Sequence, residues 1–154
     1  MRLTRIFALP FFLWSAIWAK DPFVGTWKMN VERSDFGNGP MAKRGRASYT
    51  PDGNGYKYES ETVLDNGRIA RLAGPVKFDG TVYPGYLDDR NILFSAKKID
   101  RSNYRLLIAD PLTRKVTQEF QYTVSSDNKM LTFSWVKGRE GRLVVYWVLV
   151  YQKE

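Results

Sequence analysis

The chain contains no cysteine and no histidine. Without cysteine there is no disulfide, no thiolate nucleophile, no iron–sulfur ligation and no cysteine zinc site. Without histidine the commonest general base and the commonest metal ligand are both missing, which excludes Ser-His-Asp and Cys-His catalysis. Helical patterning is lacking too: no segment carries an apolar stripe at helical spacing. There is no internal repeat, no low-complexity tract, no phosphate loop and no dinucleotide-binding glycine pattern. Asp88 and Asp89 lack the ligand spacing of a known calcium loop and lie where aspartate usually forms turns. Glu59 and Glu61, two residues apart on a polar strand face, read as solvent-facing rather than as an acid–base pair. No cofactor, no metal site and no enzymatic activity are expected.

What is present begins with an address label. Arg2 and Arg5 open the chain, Ile6 to Trp18 is an apolar run broken only by Pro10 and Ser15, and Ala19 precedes the polar Lys20-Asp21-Pro22. This is the pattern of a cleavable secretory signal peptide over residues 1–19. The run is shorter than the roughly 20 apolar residues that span a bilayer. The expected destination is therefore export, to the periplasm or beyond. Removing residues 1–19 of 154 leaves 135; it takes Arg2 and Arg5 and no acid, so 24 basic residues become 22 against 16 acidic and the net charge falls from +8 to +6. The mature domain is itself basic.

The remainder, residues 20–154, reads as one domain made of strands. Strand-prone runs cover 23–31, 43–51, 56–64, 68–78, 81–83, 91–99, 104–110, 116–124, 130–137 and 143–152. Between them lie turn signals such as Asp52-Gly53-Asn54-Gly55 and Asp65-Asn66-Gly67. Tyr56, Tyr58 and Leu64 share one face of their run against Lys57, Glu59 and Glu61. Phe120, Tyr122 and Val124 share another with Val116, and Leu131, Phe133 and Trp135 a third. Gly74-Pro75 predicts a bulge or bend, and Pro84-Gly85 a strand end. The last run, from Leu143 to Gln152, is apolar on both faces, so one face must be covered, in one reading by a second copy of the chain. Consecutive strands joined by tight turns pair with one another. The predicted fold is all-β: an antiparallel up-and-down β-barrel of about 8–10 strands, closed so that no edge is left exposed.

Gly25-Thr26-Trp27 at the start of the first run carries a family resemblance. A Gly-x-Trp on the first strand of an exported meander resembles the lipocalin signature, and the calycins more broadly. The chain also resembles a set of small exported, lipocalin-like bacterial proteins of uncharacterised function. The matching segments are 21–30, Ser34-Asp35-Phe36, Asp79-Gly80 with Tyr83-Pro84, 126–132 and 150–153. The resemblance implies that Gly25 and Trp27 close one end of the barrel. In lipocalins an arginine from the barrel's end packs across that tryptophan. Here the last strand begins at Arg142 and ends at Lys153, and the sequence alone places neither against Trp27.

A barrel of this size can enclose one small apolar ligand. The candidate cavity lining is Tyr56, Tyr58, Phe94, Phe120, Tyr122, Phe133 and Trp135, with Tyr146 and Trp147 beside them; the competing reading is that these rings fill the barrel as core. The expected partner is a small hydrophobic or amphipathic molecule, with a carboxylate head favoured by the arginines Arg44, Arg46, Arg68, Arg71, Arg101, Arg105, Arg139 and Arg142. Biotin, from the similar opening of avidins, is a variant of the same reading. Nucleic acid is not expected, because the basic residues are scattered and the chain is exported. The alternative is a solid barrel that works through its basic surface, as an envelope protein touching anionic surfaces. Monomer and homodimer both remain open.

Overall fold

In a computed structural model, described for residues 20–139 and 142–154, the chain forms ten strands and, among these residues, no helix. The signal-peptide reading falls on residues outside this description. The strands are β1 (Gly25–Asp35), β2 (Ala42–Asp52), β3 (Gly55–Leu64), β4 (Ile69–Lys77), β5 (Tyr83–Leu87), β6 (Arg90–Asp100), β7 (Asn103–Ala109), β8 (Val116–Val124), β9 (Met130–Arg139) and β10 (Arg142–Lys153). Each pairs antiparallel with the next, and β10 pairs with β1 to close the barrel. The up-and-down topology follows from tight turns: Gly53 and Gly67 take positive φ at two of them, where a side chain would strain the backbone.

Alternation along the strands sets inside from outside. On β3, Tyr56, Tyr58 and Leu64 are buried while Lys57, Glu59 and Glu61 face solvent or ion partners. Glu59 lies 2.9 Å from Lys57, and Glu61 accepts from Arg71 at 3.0 Å. On β8, Phe120, Tyr122 and Val124 are buried as expected, but Val116 at the strand's start is exposed. A register shift between β7 and β8 precedes the buried stretch and uncouples Val116 from the face it would share by parity.

Both proline expectations are corrected. β4 runs through Gly74-Pro75 in unbroken register with β3, from Val63↔Ile69 to Gly55↔Lys77. Pro84-Gly85 lies inside β5 and does not end it. The reason is shared. β4 and β5 pair only at Leu72↔Leu87 and Ala73↔Tyr86, so both prolines border a stretch where no ladder demands their missing N–H. Gly74 and Gly85 serve packing instead. A Cβ on either would meet the Phe94 ring at 2.8 to 3.0 Å, so Phe94 lies against both backbones across the gap.

The last strand is covered unevenly. Leu149, Val150 and Tyr151 are all buried within the single chain, so a second copy is not needed to cover the lower part of β10. Opposite Val150, β1 departs from simple register between Asn30 and Asp35, and Ser34 Oγ accepts the Val150 N–H at 3.0 Å. Further up, Val145 and Tyr146 remain exposed beside the register shift between β9 and β10.

Candidate functional site

The barrel interior divides into two halves. One end is plugged by the segment entering β1. Phe23 packs against the rings of Tyr49, Tyr56 and Tyr104 at centroid distances of 5.0 to 5.9 Å. Trp27 is fully buried and donates Nε1–H to the Phe23 carbonyl at 2.9 Å, which satisfies the one polar atom of its ring. Lys153, its register partner on β10, holds Nζ 4.7 Å from the Trp27 ring centroid and donates to the Pro22 carbonyl at 3.1 Å. The cation packing across the tryptophan is thus the lysine at the end of the chain. Burial, followed by repulsion from Lys20, pulls its pKa down.

Above this plug the aromatic packing continues. Tyr104 and Tyr122 stack at 4.6 Å and 7°, and Tyr122 stacks in turn on Phe133. The hydroxyls of Tyr49 and Tyr104 share a hydrogen bond of 2.8 Å, and Tyr56 donates to Asp21 at 2.6 Å. Burial first, then neighbouring phenols, raises the pKa of Tyr49, Tyr104 and Tyr122 well above the ordinary value. This half has no room for a ligand: Trp27, Tyr49, Tyr58, Tyr104, Tyr122 and Phe94 are all essentially without solvent contact.

The other half is hollow. A cavity of about 250 Å³ opens at the end where β1–β2, β3–β4, β5–β6 and β7–β8 turn. Its apolar walls are Leu64, Leu72, Leu87 and Leu149 with the rings of Phe120, Phe133 and Trp147. Ser60, Thr62 and Gln118 add hydroxyls and an amide. Phe36, Gly39 and Pro40, from the β1–β2 loop, form part of the rim. That loop is seated by Gly37, whose φ of 55° places it against the backbone of β10; a Cβ there would lie 2.5 Å from the Tyr146 carbonyl oxygen. Opposite, Asp88 secures the weak β4–β5 seam. Its N–H donates to the Arg71 carbonyl at 2.7 Å and its carboxylate accepts the Arg71 N–H at 2.9 Å.

Of the rings expected to line a cavity, Phe120, Phe133 and Trp147 lie in its wall, while Tyr146 is exposed. Tyr56, Tyr58, Phe94 and Tyr122 lie in the packed half. Trp135 packs between Tyr146 and Trp147, at 4.6 and 6.2 Å, outside the cavity lining. Gln118 was not singled out from the sequence, although its parity with Phe120 and Tyr122 places it on the inward face. Among the described residues no three His, Cys, Asp or Glu side chains converge on a metal position. A larger depression of about 600 Å³ lies on the outside of β2–β4, but its walls are ion-paired surface residues such as Arg46, Glu61 and Arg71. It is open to solvent and built of strand faces that alternate outward.

Ten antiparallel strands closing on themselves, with one end plugged around a first-strand tryptophan and the other open into an apolar cavity, define the architecture. The fold is calycin-like. Solved structures agree: the Schistosoma mansoni fatty acid binding protein in complex with arachidonic acid matches with a TM-score of 0.55 at 18% identity, over 86% of this chain and 96% of that one. The M. tuberculosis protein Rv2717c matches with a TM-score of 0.53 at 11% identity, over 86% of this chain and 93% of that one. No family model matches the chain, and no curated protein sequence matches it. The calycin-like barrel is therefore recognised through its shape, at identities that speak for the fold alone.

Proposed function

We propose that this is an exported binding protein that holds one small hydrophobic or amphipathic molecule in the hollow half of its calycin-like barrel. The observation that carries the reading is the apolar cavity itself, walled by four leucines and three aromatic rings in a barrel whose other half is tightly filled. Closed interiors pack at nearly crystalline density, so a void of this size beside a solid core is a feature to be explained. At about 250 Å³ it falls just below the roughly 300–1,000 Å³ typical of drug-sized ligand pockets. It suits a short chain or a single ring system rather than a long lipid. The likeness to a fatty acid binding protein is consistent with a hydrophobic ligand in the barrel, though not with its size. Binding is the reading the walls favour: they offer hydrocarbon, hydroxyls and an amide, with two ion-paired arginines, Arg68 and Arg71, as their charged members. Export rests on the leader-like residues 1–19.

Trp147 in the cavity wall supplies the assay. Octan-1-ol or a polarity-sensitive lipid probe added to the mature protein should change tryptophan emission saturably, and the two should displace one another. Native mass spectrometry of protein isolated from its own host should show a bound small molecule. No saturable change and no retained ligand would overturn the reading.

A further inference from the structure

The polar groups in the cavity point to the chemical class of its ligand, an inference that rests on the binding role proposed above. A basic chain invites the expectation of an anionic ligand. The structure directs its cations elsewhere. Arg68 and Arg71 are the charged residues of the lining, and their side chains are 66% and 59% exposed. Each already faces a carboxylate: Arg71 donates to Glu61 at 3.0 Å, and Arg68 lies 3.7 Å from Asp88. They belong to the outer surface and the rim. The groups whose strand parity turns them inward are uncharged: Ser60, Thr62 and Gln118.

Gln118 stands apart among them. Its Oε1 is buried and accepts no hydrogen bond from another protein group; the Tyr122 hydroxyl, in the packed half, is likewise unpaired. A buried acceptor left unpaired costs roughly 1–3 kcal/mol, and structures seldom carry that cost without a compensating role. The terminal torsion of glutamine is broad, so rotation about it can turn this oxygen to a molecule in the cavity. What it lacks is a donor. A carboxylate has none to offer, and it would lose its hydration with no cation inside to replace it.

We infer that the cavity selects a neutral amphiphile whose polar end carries a hydrogen-bond donor, a hydroxyl or an amide N–H, with the Gln118 side chain as its acceptor. The hydrocarbon part then lies along Leu64, Leu72, Leu149 and Phe133. The outer arginines keep the protein basic without setting the charge of its ligand.

The test compares three probes of matched size, octan-1-ol, its isomer 1-methoxyheptane and octanoate, by displacement of a fluorescent lipid probe from the mature protein. The alcohol is expected to bind about 5–10-fold tighter than the donor-free ether, the worth of one hydrogen bond to a neutral group, and tighter than octanoate. Gln118→Leu should erase the gap between alcohol and ether while leaving the ether within about twofold. Octanoate binding as tightly as the alcohol would overturn the inference, as would a Gln118→Leu variant that weakens alcohol and ether alike. Displacement by the ether shows that the cavity binds whatever the head-group result. Failure of all three probes would remove the binding role and this inference together.

Discussion

Along β3 the inward positions read Tyr56, Tyr58, Ser60, Thr62 and Leu64; along β8, from the same end of the barrel, they read Val124, Tyr122, Phe120 and Gln118. The strands and their alternation do not change between the two ends. Side-chain size and polarity do. Where tyrosines face inward from β2, β3, β7 and β8 their rings meet across the axis and leave nothing to fill. Where β3 offers Ser60, Thr62 and Leu64, β4 offers Ala70 and Leu72, and β8 offers Gln118, the walls do not meet. The lesson is that a closed barrel of fixed girth is solid or hollow according to what its inward positions hold, level by level. Here one chain shows both outcomes.

The comparison can be broken by truncation. Tyr104→Ala should be the most damaging change, costing about 3–5 kcal/mol, because its stacked and hydrogen-bonded surroundings cannot collapse into the space. Leu87→Ala, beside existing empty volume, should cost about 2 kcal/mol. Urea unfolding of both variants checks this, and equal losses would erase the distinction between the halves.

Alkaline titration sharpens it. Six of the nine tyrosines are buried, and burial raises the pKa of each. A phenol whose folded pKa lies above its unfolded value of about 10 contributes stability that is complete below that pH and lost as pH rises past it. Phenolate absorbance should therefore show the buried six ionising in one steep step that coincides with cooperative unfolding. A gradual ionisation of these six without unfolding would show that the closed half is not closed.

Filling the hollow half should do little to stability and much to binding. Ala70→Leu places hydrocarbon in the cavity wall; its expected effect on unfolding is within about 1 kcal/mol, with at least a tenfold loss of probe affinity. At the plug, Lys153→Met removes a cation over Trp27 and a bond to Pro22, an expected loss of about 1 kcal/mol. Lys153→Arg should restore most of it, as read by thermal unfolding.

Much of this plan is legible in the residue order. Period-two alternation at Tyr56 and Tyr58, and glycine-rich turns at Gly53 and Gly67, suffice for a meander of about ten strands. Other features depend on relations that distance along the chain conceals. That Lys153 covers Trp27 follows from the register in which the two ends of the chain close the barrel. Pro84 reads as a strand end because the missing ladder between β4 and β5 is a tertiary fact. Trp135 sits on the expected face of β9, yet the irregular pairing opposite it turns its ring toward Tyr146. Gln118 was open to parity all along. Reading the inward face for its apolar members alone passes over the one amide among them.

Backbone amide shifts of the mature protein during titration with octan-1-ol report whether ligand enters one half of the barrel and is barred from the other. Saturable shifts are expected at Ala70, Leu72, Leu87, Gln118 and Leu149, with Val76, Tyr104 and Tyr122 unmoved. Shifts centred on the tyrosine cluster, or spread over the outer faces of β2–β4, would mean that the two halves do not differ in this way.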